Sequence, residues 1–186
     1  MVSQTFKSLL DLLLDYKPED KAEAEDLKRM IVFVQEHGNN CFDRNYLPGH
    51  VTGSAWIENA TGDKFLLTLH KKLGLWLQVG GHADGNTNIL EVAFKEAYEE
   101  SGLEHLELAK EGIFDLNIHY FSIKSQPDHW HYDIRFLLKT KQSDDAIKLS
   151  DESLDLKWFT ALPPNPFPEQ MRMFRKWKEL SRSKHS

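Results

Sequence analysis

Apolar residues recur with the 3.6-residue period of a helix in three separate segments of the chain. The first segment lies near the N-terminus, the second follows Pro18 and ends at Gly38, and the third begins at about Pro168. Their apolar positions are Phe6, Leu9, Leu10, Leu13 and Leu14, then Leu27, Met30, Ile31 and Val34, and finally Met173, Phe174, Trp177 and Leu180. The pattern therefore predicts two early helices, which we expect to form a cap or a dimer surface, and one C-terminal helix.

Between these helices the pattern predicts short strands separated by turn residues. Segments 51–57 and 64–69 flank the turn-like run 59–63, which indicates a hairpin. Further strands are expected at 75–79, 112–123, 129–138 and 157–160. Because hairpins and isolated helices follow no regular alternation, the order favours an α+β fold over a βαβ array.

One further helix is predicted inside the strand region, directly after a glycine turn at Gly80 and Gly81. Asn88, or Thr87 beside it, can cap this helix, and Asn88 with Glu91 three residues later approximates a capping box. The apolar stripe and the glycine that would end the helix are Leu90, Ala93, Phe94, Ala97 and Gly102. We therefore expect a loop, a capped helix and a second loop in succession.

Three glutamates occupy a side of this helix that the apolar stripe leaves free. Glu96, Glu99 and Glu100 stand at i, i+3 and i+4, so they project from one side. Like charges at this spacing destabilise an isolated helix by roughly a few tenths of a kcal/mol per pair. A hard divalent cation bound by the carboxylates would offset the repulsion.

The segment from Gly81 to Leu103 resembles the Nudix box, a family pattern of a glycine, spaced glutamates, an Arg-Glu pair, a Glu-Glu pair and a closing glycine. When the pattern is anchored on Gly81, Glu96, Glu99 and Glu100 fall on its acidic positions. The resemblance implies the family's α/β/α sandwich with a mixed sheet, over about residues 50–160. Residues 1–45 would then be an N-terminal helical extension packed on the core, and residues 46–186 the Nudix hydrolase domain with its C-terminal helix.

The match has two departures, with Thr87 at the position of the early glutamate and Lys95 at that of the arginine. In the family these two residues form an ion pair that ties the loop to the helix, and here both partners have changed. Glu91 stands four residues before Lys95, in the favourable Glu-to-Lys order. We therefore predict that Glu91 replaces the lost pair by contacting Lys95.

The resemblance also implies a reaction, the hydrolysis of a phosphoanhydride bond in a nucleoside diphosphate linked to another moiety. NTPs, nucleotide sugars and dinucleotides are such substrates. Mg²⁺ or Mn²⁺ is the implied cofactor, because these hard cations neutralise phosphate charge and prefer carboxylate oxygens. The implied metal ligands are Glu96, Glu99, Glu100 and the Gly80 carbonyl. The candidate catalytic residues are Glu99, Glu100, Lys95 and Glu152, the last as a general base.

Histidines form a second polar feature. Strand alternation places His129, His131, Asp133 and Arg135 on one face of a strand, with His119 on the preceding strand. If this face borders the cleft, Arg135 and the histidines hold phosphate, or the His and Asp residues bind a second metal. Two imidazoles alone would be an incomplete zinc site. Alternatively, the face is the solvated side of an antiparallel strand whose aromatic residues face the core.

Other polar residues extend this candidate surface. His82 follows the glycines and either contacts a pyrophosphate or braces the turn through a backbone hydrogen bond. His50, Thr52 and Ser54 alternate along the first strand and line the same groove if it is open. The candidate substrate-binding residues are His82, His119, His129, His131 and Arg135.

The composition of the chain limits the kinds of partner that we expect it to bind. A chain of 186 residues suits one well-cored domain with an appendage, and its net charge of -6 argues against binding a nucleic-acid polymer. The single cysteine, Cys41, cannot form an internal disulfide and favours a cytoplasmic location. No apolar run approaches the ~20 residues that span a bilayer, so a membrane partner is not expected. The leucine-rich N-terminal helix makes a homodimer plausible.

Three functions stay open at this point. A divalent-metal-dependent pyrophosphohydrolase is favoured, because all three metal-position glutamates are present. A catalytically silent nucleotide-binding or regulatory Nudix domain is the second, suggested by Thr87 and Lys95. An isomerase of the isopentenyl diphosphate type ranks last, because its catalytic cysteine lies within the fold whereas Cys41 precedes the first predicted strand.

Overall fold

The computed structural model describes residues 7–122 and 127–183. The α-helices of these residues are α1 (Leu9–Asp15), α2 (Lys21–His37), α3 (Ile89–Ser101) and α4 (Pro168–Ser183). The strands are β1 (Gly49–Glu58), β2 (Phe65–His70), β3 (Trp76–Leu77), β4 (Val79–His82), β5 (Leu106–Leu108), β6 (Asp115–Phe121), β7 (His129–Thr140) and β8 (Ser153–Phe159). Within the two described ranges, no helix combines the length and apolarity needed to cross a bilayer.

The strands join one mixed sheet built around β1 and β7. These two run parallel, from Gly49 opposite Trp130 to Glu58 opposite Lys139. On the other edge of β1, β4 pairs antiparallel with residues 52–55, and the hairpin to β2 begins at Glu58. β5 and β6 pair with the other edge of β7, while β3 and β8 pair with β2.

Helices cover both faces of this sheet. Gly53 on β1 lets α3 approach closely, because an added Cβ would lie 3.0 Å from the Ile89 carbonyl oxygen and from the Val92 side chain. Trp56 points to the opposite face, where it packs in one cluster with Trp177 of α4. The sheet thus lies between α3 and α4, and the expected α+β sandwich is confirmed.

The predicted helices are confirmed in position, but the buried side of α1 is narrower than expected. α2 ends at His37 with Gly38 as its C-cap, and the positive φ of 53° at Gly38 is the kind of conformation that glycine adopts easily. α1 buries Leu9 and Leu13, but Leu14 is 60% exposed and does not face the core. Phe6, expected on the apolar side of this helix, lies outside the described residues.

The strand predictions need several corrections. The hairpin at 51–57 and 64–69 is confirmed as β1 and β2. The expected strand 75–79 is divided, since β3 ends at Leu77 and β4 begins at Val79 and continues through the glycines. β5 was not expected, and the end of the predicted strand 112–123 falls at Ile123, outside the described residues.

The buried carboxylate of Asp115 on β6 binds basic side chains from β7 and α4, and we call this group of charges the buried centre. Its carboxylate accepts hydrogen bonds from Arg172 Nε at 2.8 Å, Lys176 Nζ at 2.9 Å and Arg135 Nη1 at 3.0 Å. Burial alone would raise the pKa of Asp115, but the hydrogen bond from Arg172 and the charges of Arg135 and Lys176 outweigh it and lower that pKa. Lys176 also contacts Glu23 at 2.5 Å, which extends the centre to α2.

We predict that Asp115→Asn lowers the free energy of unfolding by about 3–5 kcal/mol, because Arg135 and Arg172 stay buried but lose the charge of a shared carboxylate partner. Urea denaturation measures this loss. Because the folded pKa of Asp115 is lowered, its contribution is present above the pKa of the unfolded chain and is lost as pH falls through the folded pKa.

The matched control is Glu107→Gln, which removes an exposed ion pair with Lys141 at 2.7 Å. This change should cost less than about 1 kcal/mol. Equal losses for the two variants would show that the buried centre does not stabilise the fold as described.

Candidate active site

The glycine pair forms a strand and not the expected turn. Gly80 and Gly81 pair with β1 as part of β4, and the turn comes later, at Asp84 and Gly85 with φ of 50° and 85°. A side chain at Gly80 would collide with β1, because an added Cβ would lie 2.1 Å from Ser54 Oγ. Glycine therefore allows β4 to lie close against β1 and to lead the chain toward α3.

α3 brings two carboxylates against β4. Glu100 Oε1 accepts a hydrogen bond of 2.7 Å from the Gly80 backbone N–H. Glu96 lies over Gly81, where an added Cβ would be 2.5 Å from its Oε2. The side chain of Glu99 is 52% exposed. The predicted spacing thus places two carboxylates on the strand and the third at the rim.

The electrostatics of these carboxylates fit a divalent cation. Burial raises the pKa of Glu100 to about 7, although the hydrogen bond from Gly80 opposes the rise. Burial also raises the pKa of Glu96, and Lys95 opposes that rise. The negative charge of Glu152 adds to the rise at both Glu96 and Glu100, which places Glu152 within electrostatic range of the pair. Mg²⁺ and Mn²⁺ prefer oxygen ligands such as these carboxylates. A cation bound between the carboxylates would also reduce their mutual repulsion.

Lys95 contacts the metal-position glutamates and not Glu91. Its Nζ lies 3.2 Å from Glu96 Oε1 and 3.3 Å from Glu99 Oε2. Glu91 instead accepts a hydrogen bond from Asn86 Nδ2 at 3.2 Å. The predicted pair of Glu91 with Lys95 is therefore wrong, because the fold brings two other carboxylates to the ammonium group.

A different ion pair braces the loop before α3. Arg44 donates from Nε and Nη2 to both carboxylate oxygens of Asp84. The Gly85 N–H also donates to the Phe42 carbonyl at 2.8 Å. Sequence reasoning missed Arg44, because nothing in the local pattern links it to an aspartate 40 positions away.

The N-terminus of α3 is capped as predicted. Asn88 is the N-cap residue, and its side chain accepts from the Glu91 N–H at 3.4 Å. In the expected capping box the Glu91 side chain would accept from the Asn88 N–H, but Asn86 Oδ1 accepts this hydrogen bond instead, at 2.9 Å. The helix ends at Gly102 with φ of 68°, which confirms the predicted left-handed end.

The polar face of β7 is buried, so the alternative of a solvated strand face is wrong. Arg135 donates from Nε to Asp133 at 2.7 Å and from Nη1 to Asp115 at 3.0 Å, and its side chain is only 3% exposed. The hydroxyls of Thr52 and Ser54 donate to Asp133 Oδ1 at 2.9 and 2.7 Å. The position of Arg135 does not support the expected phosphate contact, because β7 lies between β1 and β6 and the guanidinium is held by two buried carboxylates.

The histidines also lie away from the carboxylates of α3. His129 and His131 are 5% and 8% exposed, which leaves them no open surface for a phosphate. His119 is half-buried beside His131, with its Nδ1 3.1 Å from Asn117 Oδ1. His82 follows Gly81 along β4, so its side chain points to the sheet face opposite Glu96. The expected substrate contacts of these histidines are therefore not supported by their positions.

Comparison with known proteins decides the family. A family model of the NUDIX domain matches residues 49–177, well over half of the chain. The chain belongs to the NUDIX family. It is a NUDIX pyrophosphohydrolase, as the resemblance of residues 81–103 implied.

Several relatives of this NUDIX hydrolase are informative. The asymmetrical bis(5'-nucleosyl)-tetraphosphatase of Rattus norvegicus is 29% identical over 102 residues, which cover 55% of this chain and 67% of the relative. A NUDIX-family hydrolase structure from Clostridium perfringens is 26% identical, with a TM-score of 0.52, and covers 70% of this chain and 97% of its own. An Ap4A hydrolase structure from C. elegans is 20% identical, with a TM-score of 0.58, and shares the fold. The match covers 72% of this chain and 98% of the C. elegans chain.

We predict that Asn88→Ala lowers the free energy of unfolding by about 1 kcal/mol, because α3 loses its N-cap hydrogen bond. Glu91→Ala should lower it by less than about 0.5 kcal/mol, since Glu91 makes an exposed contact with Asn86 and does not pair with Lys95. Urea denaturation of both variants measures the difference. A loss for Glu91→Ala as large as that for Asn88→Ala would contradict this assignment of contacts.

Proposed function

We propose that this NUDIX hydrolase binds Mg²⁺ or Mn²⁺ at Glu96, Glu99 and Glu100 and cleaves a phosphoanhydride bond in a nucleotide-like diphosphate. The observation that carries the proposal is that the buried carboxylate of Glu100 and the half-buried one of Glu96 lie directly on the glycines of β4. A cation bound there would neutralise the charge of a diphosphate and lower the pKa of an attacking water.

The residues around the site have separate roles in this proposal. The Gly80 N–H fixes Glu100 through its 2.7 Å hydrogen bond, and the Gly80 carbonyl is a further candidate ligand. Lys95 lies between Glu96 and Glu99, so its charge holds these carboxylates together and offsets their repulsion. Glu99, at the exposed rim, is the ligand nearest to solvent among the three.

Glu152 is the proposed general base. It is exposed and precedes β8, and its backbone carbonyl accepts a hydrogen bond from the Lys71 N–H at 3.2 Å. Its negative charge contributes to the raised pKa of both Glu96 and Glu100, which supports a role for Glu152 near these carboxylates. An exposed carboxylate in this place can take a proton from water.

A dinucleoside polyphosphate is the first candidate substrate. The rat relative is named for a bis(5'-nucleosyl) tetraphosphate, and its match covers about two thirds of that protein. The net charge of -6 favours a small nucleotide over a nucleic-acid polymer. Burial raises the pKa of the Cys41 thiol to about 11, which makes it a poor nucleophile and disfavours the cysteine-dependent isomerase.

The test is a substrate panel of Ap4A, NTPs, ADP-ribose and NADH, assayed with Mg²⁺ or Mn²⁺ and again with EDTA. We expect hydrolysis of at least one substrate and its loss in EDTA. Glu100→Gln should lower kcat/KM by about 100-fold or more, because it removes a charged oxygen ligand while conserving the side-chain shape.

Glu91→Gln is the matched control on the same helix, because Glu91 lies outside the carboxylate cluster; its kcat/KM should stay within about twofold of the wild type. Activity that survives both EDTA and Glu100→Gln would overturn the proposed mechanism. Binding of nucleotides without turnover across the panel would favour the silent binding domain instead.

A further inference from the structure

Four histidines from three strands meet on the sheet face opposite α3. His50 lies on β1, His82 ends β4, and His129 and His131 begin β7. The parallel register sets His50 opposite His131, and the antiparallel register sets His82 opposite Thr52, two residues along β1. One ring nitrogen from each histidine can be chosen so that all four atoms lie within 4.8 Å of one another.

His50 shows that the cluster is more than a chance packing of rings. The residue is 1% exposed, and among the residues that the structure describes neither of its ring nitrogens has a hydrogen-bond partner. The Tyr46 backbone lies close enough to act on the His50 pKa, but the contact does not meet hydrogen-bond geometry. A buried polar group without a partner costs about 1–3 kcal/mol, and coordination of a metal would satisfy its lone pair.

His129 is oriented as metal-binding histidines usually are. Its Nδ1 lies 2.7 Å from the Pro127 carbonyl oxygen, which only accepts, so Nδ1 carries the proton. Nε2 then bears a lone pair, and it lies 2.9 Å from His131 Nε2 inside the cluster. A backbone carbonyl that fixes the tautomer in this way is a common support for a ligating imidazole.

We propose that His50, His82, His129 and His131 together bind one divalent transition-metal ion, with Zn²⁺ as the first candidate. Tetrahedral Zn–N bonds of about 2.1 Å separate ligand nitrogens by roughly 3.4 Å, so small side-chain rotations complete the site. Nitrogen donors favour Zn²⁺ over the Mg²⁺ of the carboxylate site. The ion is structural, because four protein ligands leave no open position, and it links β1, β4 and β7.

The neighbouring polar residues do not belong to the ligand set. Asp133 Oδ2 accepts from Arg135 Nε at 2.7 Å and Oδ1 accepts from two hydroxyls, so its carboxylate is engaged. His119 packs against His131 with ring centroids 5.2 Å apart, but its Nδ1 contacts Asn117. His119 is therefore the matched control for substitutions in the cluster.

The test uses the full chain, stripped of metal with a chelator and then dialysed into excess Mg²⁺ so that oxygen sites are filled. The wild type should bind about one equivalent of Co²⁺ with the intense visible absorption of a tetrahedral site, and Zn²⁺ should displace it. His50→Gln and His129→Gln should each weaken Zn²⁺ binding by about 100-fold or more. His119→Gln and Glu100→Gln should bind Zn²⁺ like the wild type, which separates this site from the proposed active site.

Loss of Zn²⁺ binding in Glu100→Gln with retention in His50→Gln would overturn the proposal, as would the absence of stoichiometric Zn²⁺ or Co²⁺ binding by the wild type. If the histidine variants do not fold by circular dichroism, X-ray absorption of the Zn²⁺-loaded wild type decides. An imidazole-dominated tetrahedral spectrum supports the site, and an oxygen-rich six-coordinate spectrum overturns it.

Discussion

The parallel pairing of β1 with β7 is the constraint on which the candidate active site and the histidine cluster both depend. It extends over the 10 residues of β1, all of them buried, from Gly49 to Glu58. With β7 on one edge of β1, the other edge is free to take β4, whose glycines then lie under α3. A strand buried on both faces in this way must satisfy polar side chains inside the protein.

Gly81 and His82 are neighbours on β4 but face opposite sides of the sheet, and the two sides carry different donor atoms. Gly81 faces α3, where Glu96 and Glu100 offer hard oxygen donors. His82 faces the other side of the sheet, where His50 and His131 offer nitrogen donors. A cation at the proposed transition-metal site would thus hold β4 from the face opposite the proposed Mg²⁺ or Mn²⁺ site, so each site supports the strand on which the other depends.

Local signals predicted the parts of the fold that are locally determined. The Asn88 cap and the left-handed Gly102 depend on neighbours within one or two helical turns, so the sequence alone placed them correctly. The apolar stripe of α3 is only partly right, because Ala93 and Ala97 are buried as expected but Leu90 and Phe94 are only partly buried. The same applies to the hairpin of β1 and β2. Lys95 shows the limit, because Glu91 and Glu99 are both four residues away and only the folded arrangement selects Glu99.

The remaining features depend on partners far along the chain. Gly80 and Gly81 suggested a turn, but they form a strand that pairs with Ser54 and Gly53 of β1, where Ser54 leaves no room for a side chain at Gly80. The alternating polar residues of β7 suggested solvent or a cleft, whereas Arg135 faces Asp115, 20 residues away. Periodicity shows which residues share a face, but it does not show what covers that face.

The central claim, that Glu96 and Glu100 hold the catalytic cation on the Gly81 face of the sheet, is tested most directly by anomalous X-ray diffraction from crystals saturated with Mn²⁺. The predicted result is an anomalous peak about 2.0–2.3 Å from carboxylate oxygens of both glutamates. A peak at the histidines alone, or no peak on the α3 face at saturating Mn²⁺, would contradict the claim.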